Sequence, residues 1–269
     1  MHLGGSCHVW TASCSQERFR GGGRCSLTLT SVEELLLQWY SHNGRSLPWR
    51  ATRDPYAILV SEVMLQQTQV ERVVPRYERW LDRWPTAAAL ARATPAEAIR
   101  EWQGLGYNRR AVNLHRAAQA IATHGWPADL TDLPGVGAYT AAAIRNQAFG
   151  EHVLPVDTNV ARIQERTGHA FGPWALQALF DLGATICLAR VPRCGVCPLG
   201  ERCPSRGRRY EPLRRQPRFE GSFRQRRAAL LRLVAEAPRP LAELDAEAVT
   251  ALERDGLVRV DGELVALPL

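Results

Sequence analysis

The chain has 269 residues, of which 45% are hydrophobic, and so holds enough apolar material for one large or two modest domains. Its 34 basic and 27 acidic residues give a net charge of +7, which favours a polyanionic partner such as nucleic acid. No segment has the continuous apolar length of a signal peptide or a membrane span, which excludes a membrane partner and predicts a bacterial-type cytoplasmic protein.

Residues 1–27 are rich in Gly, Ser and Cys without an apolar period, which predicts a disordered N-terminal extension. From Thr30 the pattern becomes helical, with Ser31 and Glu34 spaced as a capping box ahead of a leucine run. Since no segment between residues 30 and 190 alternates with the period of a strand, the body is predicted to be all-helical. The further predicted helices are residues 56–65, 70–84, 86–92, 95–102 and 109–124.

Glu62 lies in an otherwise apolar helical stretch, from Ala57 to Leu65. A carboxylate there is either a buried structural acid held by hydrogen bonds or an acid whose pKa is raised by desolvation. A raised pKa suits proton donation at neutral pH. The residues alone leave both interpretations open.

The stretch from Leu133 to Asp157 predicts a glycine hairpin that opens a helix near Tyr139. Gly135 and Gly137 allow a tight turn whose bare amides can bind an anion at a helix N-terminus, although such a turn is often only a corner between two helices. Asp157 starts the next helix after an apolar run that would keep its carboxylate partly dry.

Four of the seven cysteines are clustered with spacings of six, two and five residues, which is typical of a metal site and not of a disulfide framework. Thiolates at this spacing can bind zinc or a [4Fe-4S] cluster. The four candidate ligands are Cys187, Cys194, Cys197 and Cys203.

An arginine-rich linker over residues 204–222 leads to a small module over residues 223–269. The module is predicted to hold a helix from Phe223 to Glu236, a second helix from Pro240, and a β-hairpin turning at Asp261-Gly262. It resembles a reduced winged helix, which either packs against the rest of the chain or contacts DNA.

The segment Ser61 to Thr68 reads SEVMLQQT, and together with the hairpin, Asp157 and the cysteine spacing it resembles the adenine DNA glycosylase (MutY) family of the helix-hairpin-helix/GPD superfamily. The resemblance implies a mainly α, two-lobed helix-hairpin-helix fold in a body spanning residues 28–203. It also implies an iron-sulfur loop at residues 187–203, which favours a structural [4Fe-4S] cofactor over zinc.

The resemblance implies a mechanism with two carboxylates. Glu62 protonates N7 of an extruded adenine and then activates water, while Asp157 stabilises the cationic sugar. Tyr139 supports the developing charge, and its alternative role is that of a packed aromatic. Asn159 fixes Asp157 or a nearby backbone group.

The family also implies which residues contact DNA. Gly135 and Gly137 grip a phosphate, and Gln67 and Thr68 meet the opposite purine. An apolar wedge is expected from Leu105 and Tyr107, in a segment that is also typical of a helix C-cap with a buried tyrosine. The residues placed around the extruded base are Arg45, Trp49 and Arg50.

The position of Tyr139 separates subfamilies, because related glycosylases that also cut the strand carry a lysine there. The present chain contains no lysine at all, so only its N-terminal amine could form an imine. The prediction is a monofunctional glycosylase that removes adenine mispaired with 8-oxoguanine or guanine. The alternatives are a thymine or uracil mismatch glycosylase and an iron-sulfur DNA-binding protein with lost or weak catalysis.

Two features depart from the family pattern. The segment between Thr167 and Asp181 is shorter by more than a helix, and the Nudix-like domain with which many adenine glycosylases recognise 8-oxoguanine is absent. The expected partner remains double-stranded DNA with a mismatch or an oxidised guanine, bound by a nucleoid-associated monomer.

Overall fold

A computed structural model describes residues 31–211 and 218–269; the predicted N-terminal extension lies outside them. The described part contains eleven α-helices and one small antiparallel sheet of three strands. None of these helices combines the length and the apolar character needed to cross a bilayer. The helices are α1 Val32–Asn43, α2 Pro55–Leu65, α3 Val70–Arg83, α4 Ala87–Arg92, α5 Pro95–Glu101, α6 Arg109–His124, α7 Ala138–Gln147, α8 Thr158–Thr167, α9 Leu176–Thr185, α10 Phe223–Glu236 and α11 Ala246–Arg254. The strands are β1 Arg239–Pro240, β2 Arg259–Asp261 and β3 Leu264–Ala266.

Local capping signals set the starts of several helices. Ser31 accepts a hydrogen bond from the Glu34 amide at 3.0 Å, and the Glu34 carboxylate accepts one from the Ser31 amide at 2.6 Å. Thr94 and Glu97 form the same reciprocal box at the start of α5. Each box satisfies backbone N–H groups that a helix start leaves unpaired, so the predicted starts are confirmed.

Helices α2 to α7 enclose the largest apolar cluster, which forms the first lobe. Trp80 lies at its centre, edge-on to Trp84 and Trp102 with ring centroids 4.7 and 5.5 Å apart. Helix α2 is buried along nearly its whole length, from Tyr56 to Met64. Any polar side chain on α2 therefore faces protein and not solvent.

A second apolar cluster joins α1, α8 and α9 to the cysteine loop and forms the second lobe. Leu36 of α1 is fully buried there with Val160 and Leu179, and Cys187 and Cys197 pack against its edge. The mainly α, two-lobed architecture predicted from the sequence is therefore confirmed.

The connection from α8 to α9 is short, as the sequence indicated. Helix α8 ends at Thr167 with Gly168 as its C-cap, whose φ of 67° is left-handed, and a 3-10 turn over residues 173–175 leads directly into α9. Glu33 of α1 holds this connection by accepting hydrogen bonds from the Gly172 amide at 2.7 Å and the Trp174 indole at 3.0 Å.

The C-terminal module packs on the first lobe. Leu231 and Leu252 of the module share an apolar cluster with Ile99 of α5 and Val112 of α6. Of the two roles considered from the sequence, packing against the body is the one that the contacts show. The predicted domain boundaries at residues 27, 203 and 222 stay predictions.

Two details of the module differ from expectation. Residues Arg239–Pro240 form a strand paired with β3, and the second helix begins only after Asp245, whose carboxylate accepts a hydrogen bond from the Ala248 amide at 3.1 Å. The hairpin pairs Asp261 with Leu264, so its two-residue turn is Gly262-Glu263 and not Asp261-Gly262. The left-handed φ of 60° at Gly262 accounts for glycine in that turn.

Candidate active site

Glu62 lies on the buried helix α2 with 6% of its surface exposed. Its Oε1 accepts a hydrogen bond from Gln147 Nε2 of α7 at 3.1 Å, and its carboxylate is also hydrogen-bonded to Tyr139. Burial raises the pKa of Glu62 to about 7, against the opposing effect of the hydrogen bonds from Gln147 and Tyr139. Glu62 is therefore poised to hold or release a proton at neutral pH.

Tyr139, in the first turn of α7, lies between two carboxylates. Burial, followed by the charges of Glu62 and Asp157, raises the pKa of Tyr139 well above its usual range. The phenol is therefore protonated at any physiological pH and can donate a hydrogen bond. Glu62, Tyr139 and Asp157 are therefore close enough for the charge of each carboxylate to act on the phenol.

Asp157 is the N-cap of α8. Its Oδ1 accepts hydrogen bonds from the amides of Asn159 at 2.8 Å and Val160 at 2.7 Å. The positive end of the helix dipole therefore points at this carboxylate. The Asn159 side chain adds a third hydrogen bond, from Nδ2 to Oδ2 at 2.8 Å.

Arg162, one turn further along α8, supports Asn159. Its Nη2 donates to Asn159 Oδ1 at 2.7 Å and to the Gly183 carbonyl at 2.9 Å, while Nε donates to the Cys187 carbonyl at 2.9 Å. A Cβ on Gly183 would lie 2.6 Å from Asn159 Cβ, so only glycine fits at this contact. Hydrogen bonds thus run from Asp157 to the start of the cysteine loop.

The cysteine loop is attached to α8 through Arg166, which is 5% exposed. Its guanidinium donates to Cys187 Sγ at 3.4 Å and to the carbonyls of Leu188 and Ala189 at 2.8 and 2.7 Å, and it stacks over the Tyr210 ring at 3.8 Å. Arg162 and Arg166 were missed from the sequence. Their spacing of four residues on the helix before the cysteines was the available signal.

All four predicted cysteine ligands line a single cavity with Arg166 and Leu199. Within residues 31–211 and 218–269, no three Cys, His, Asp or Glu side chains converge closely enough to hold a single ion. Zinc needs four ligands within about 2.3 Å of one point. The four thiols that line this cavity are the groups that would hold a shared cofactor.

Arg45 and Arg50, predicted to lie at the base pocket, both bind Asp181 of α9. Arg45 Nε donates to Oδ1 at 2.7 Å, and Arg50 Nη1 and Nη2 donate to Oδ2 and Oδ1 at 2.9 and 2.7 Å. These bonds lower the pKa of Asp181, although its side chain is fully buried. Trp49 packs edge-on to Tyr77 in the first lobe, with ring centroids 5.4 Å apart.

The glycine hairpin has the predicted geometry at its turn. Gly135 has a left-handed φ of 81°, and a Cβ there would lie 2.8 Å from Asn113 Cβ. Gly137 is the N-cap of α7, and a Cβ on it would meet nothing within 4 Å. The open surface beside Gly137 leaves the first amides of α7 accessible to an anion.

The two loops predicted to meet the base stack lie side by side. Thr68 Oγ1 donates to the Leu105 carbonyl at 3.4 Å, and Gln67 is exposed. Tyr107 is 46% exposed, whereas the Leu105 side chain is 3% exposed within the first lobe. Tyr107 therefore protrudes from this surface while Leu105 packs beneath it, and the wedge expected from the two residues stays a prediction.

Comparison with known proteins identifies the family of the chain. Residues 60–172 match the family described as HhH-GPD superfamily base excision DNA repair protein. The adenine DNA glycosylase of Mycolicibacterium smegmatis is 42% identical over 81% of this chain and 85% of its own length. The chain belongs to the adenine DNA glycosylase family. Glu62 on α2 and Asp157 both lie within residues 60–172, the region that matches the HhH-GPD family.

Solved structures agree on the fold of this family member. A thermostable thymine-DNA glycosylase superimposes with a TM-score of 0.58 and 27% identity, covering 64% of this chain and 94% of its own. An endonuclease III–DNA complex superimposes with a TM-score of 0.56 and 20% identity, covering 64% and 92%. The second likeness shows the fold alone.

Two residues linked to Glu62 by hydrogen bonds, one directly and one through the other, were not found from the sequence. Gln147 donates to Glu62, and its own Oε1 accepts from Gln177 Nε2 of α9 at 3.0 Å. Gln147 lies eight residues after Tyr139 on α7, a spacing that places both near the same helix face. That spacing was the signal available for Gln147, whereas nothing local indicated Gln177.

Proposed function

We propose that this protein is a DNA glycosylase of base excision repair, which hydrolyses the N-glycosidic bond of adenine mispaired with 8-oxoguanine or guanine in double-stranded DNA. The observation that carries the proposal is the pairing of a buried carboxyl, Glu62, with a helix-capping carboxylate, Asp157, around Tyr139. The 42% identity to an adenine DNA glycosylase supports adenine as the target base.

In the proposed reaction, protonated Glu62 gives its proton to N7 of an extruded adenine. The electrons of the glycosidic bond move into the base, and the sugar becomes an oxocarbenium-like cation. Because the pKa of Glu62 is about 7, a substantial fraction of Glu62 holds the required proton at neutral pH. The ionised Glu62 then accepts a proton from the water that adds to the sugar.

Asp157 supplies negative charge for the cationic sugar. Two backbone amides and the Asn159 side chain hold its carboxylate, so it needs little reorganisation as the cation forms. Tyr139 stays protonated beside both carboxylates and donates a hydrogen bond to Glu62. These roles of the cluster belong to the proposal.

We further propose that Cys187, Cys194, Cys197 and Cys203 hold a [4Fe-4S] cluster. Their shared cavity and the contacts of Arg166 with this loop support a cofactor that anchors the loop to α8. When bound, such a cluster supplies four iron–thiolate bonds that tie these cysteines together.

Metal analysis tests the cluster. Purified anaerobically, the protein is expected to hold about four iron atoms per chain and to show the broad visible absorption of an iron-sulfur protein. Cys197→Ala is expected to lower both signals and the melting temperature, while Cys25→Ala, outside the described residues, leaves them unchanged. One zinc per chain without iron would contradict the proposal.

The proposed enzyme has no lyase activity, because imine chemistry needs an amine and the chain has no lysine. Borohydride treatment during the reaction is expected to trap no covalent protein–DNA complex. Strand cleavage is expected only after alkali. A trapped complex would contradict this assignment, and its loss after N-terminal acetylation would identify the N-terminal amine as the nucleophile.

The substrate is tested on matched duplexes that carry adenine opposite 8-oxoguanine, adenine opposite guanine, or thymine or uracil opposite guanine. Alkali-dependent cleavage of the adenine strand is the expected result. Cleavage restricted to thymine or uracil would favour the alternative of a thymine or uracil mismatch glycosylase. Binding without cleavage of any duplex would refute catalysis.

The monomeric state and the cytoplasmic, nucleoid-associated location of the protein stay predictions.

Gln147→Leu is expected to shift the pH dependence of excision. The Gln147 amide stabilises ionised Glu62 and lowers its pKa, so removing the donor raises that pKa above about 7. Because Glu62 acts as the acid in its protonated form, the falling limb of the rate against pH moves to higher pH. Single-turnover rates across neutral pH measure the shift, and Gln119→Leu on exposed α6 surface is the control.

A further inference from the structure

Arg110, in the first turn of α6, is a buried arginine whose acceptors are all neutral oxygens. The residue is 8% exposed. Its Nη1 donates to the carbonyls of Val63, Met64 and Gln66 at 2.8, 3.0 and 2.7 Å. These carbonyls end α2 and begin the loop at residues 66–69, so the guanidinium satisfies oxygens that a helix end leaves unpaired.

The other edge of the same guanidinium reaches a second loop, residues 102–108 before α6. Arg110 Nη2 donates to the carbonyls of Leu105 and Gly106 at 3.3 and 2.9 Å, and Nε donates to the Tyr107 carbonyl at 3.3 Å. Nη2 also donates to Thr68 Oγ1 at 3.0 Å. One planar group thus joins two loops that are distant in the sequence.

Each loop carries a residue in an unfavourable backbone conformation. Gln67 has a φ of 56° and Tyr107 a φ of 46°, and they are the two non-glycine residues with positive φ among residues 31–211 and 218–269. Side chains with a Cβ rarely adopt this conformation, which persists only where surrounding contacts hold it. Both residues are exposed, so the contacts that hold the loops come from beneath, where Arg110 lies.

A charged side chain in this position has a desolvation cost that an apolar one would avoid. Burial lowers the pKa of Arg110 to about 10, so the group remains charged at neutral pH. The Trp102 ring, 5.1 Å from the guanidinium carbon, adds a cation–π contact. The planar guanidinium compensates by holding several carbonyl oxygens of the two loops in fixed positions at once.

We infer that Arg110 is a positioning residue that fixes the 66–69 loop relative to the 102–108 loop, so that Gln67 and Tyr107 enter the base stack together. This inference rests on the proposed function, because it requires the two loops to be the part of the protein that opens the duplex. Arg110 itself lies buried beneath the loops and so would act through Gln67 and Tyr107.

Arg110→Lys tests the inference, since lysine keeps the charge and the aliphatic stem but loses the fork. The duplex carries 2-aminopurine beside the target adenine, and its fluorescence rises when the stack opens. We expect the single-turnover excision rate to fall roughly 10–100-fold and the fluorescence rise to disappear, because small misplacements near the chemistry have effects of this size. Affinity for an undamaged duplex, which depends on charge, stays within about twofold.

Arg109→Lys is the matched control, because the Arg109 side chain is 65% exposed and faces Asp255 at 3.8 Å. It is expected to behave as wild type in both measurements. With enzyme in excess, the rate constant is that of the folded molecules alone, so a merely structural role for Arg110 would lower the melting temperature without changing rate or fluorescence. Wild-type rate and fluorescence in Arg110→Lys would overturn the inference.

If Arg110→Lys does not fold, Thr68→Val tests the inference instead, because valine keeps the shape of the threonine side chain but removes the hydroxyl that accepts from Arg110. A partial loss of rate and fluorescence that is equal opposite guanine and opposite 8-oxoguanine supports loop positioning. A loss that depends on the opposite base indicates a direct base contact and counts against it. If wild-type protein raises the fluorescence but excises no adenine, the proposed function is refuted. The effect of Arg110→Lys on the fluorescence would still test the inference.

Discussion

Replacing Glu62 by glutamine is expected to lower the single-turnover rate of adenine excision by roughly 10²–10⁴-fold, the usual contribution of a positioned general acid. The amide has the size of the carboxyl group but cannot transfer a proton to the base or accept one from water.

Wild-type excision is also expected to fall as pH rises above about 7, the pKa of Glu62, because the acid is then ionised. Rapid-quench measurements of the rate against pH test both statements.

Folding and DNA binding should survive this substitution. Burial holds the pKa of folded Glu62 at about 7 against 4.5 for the free group, so ionisation of Glu62 costs stability as pH rises between these values. A neutral glutamine avoids that cost, and the melting temperature of Glu62→Gln above pH 7 is expected to equal or exceed that of wild type. Glu165→Gln, on the exposed face of α8, is the control. Excision by Glu62→Gln at the wild-type rate would remove Glu62 from the mechanism.

Asp157→Asn is expected to reduce excision by roughly 10²–10³-fold, because the cationic sugar loses the negative charge placed beside it. Asparagine is as good an N-cap as aspartate, so α8 should keep its start and its bonds to the amides of Asn159 and Val160. The measurement is the single-turnover rate on saturated duplex, which separates loss of chemistry from loss of binding.

Asp245→Asn provides the matched control for this experiment. Asp245 also caps a helix, α11, through the Ala248 amide, but it lies in the C-terminal module. Both variants are expected to unfold within several degrees of wild type, since exchange between good cap residues changes helix stability by well under about 1 kcal/mol. A fall in excision by Asp157→Asn that tracks a large fall in melting temperature would assign Asp157 a capping role only.

The sequence predicted the helices well where the signals were local. The bounds of α6 agree with the predicted range 109–124, and the boxes at Ser31 and Thr94 start α1 and α5 as expected. Helix period and capping depend on residues three or four apart, so they can be read directly from the chain. The same holds for Glu62, whose apolar neighbours on α2 already indicated burial.

The prediction was incomplete where distant segments meet. Pro240 was expected to open a helix, but pairing with β3 makes it a strand residue. Gln147 and Arg110 were absent from the predicted site. Gln147 bonds to Glu62, 85 residues away, and Arg110 bonds to Val63, 47 residues away, so local spacing could not reveal these partners.

The sequence by itself determined the helical class, the two carboxylates, the four clustered cysteines and the absence of lysine, because these depend on residue type and short spacing. Only the tertiary structure decided which groups surround those residues. The pKa of Glu62 depends on burial and on Gln147, and the loops at Gln67 and Tyr107 depend on Arg110. Burial and hydrogen bonding between distant segments arise only when the helices pack, which is why they could not be read from the chain.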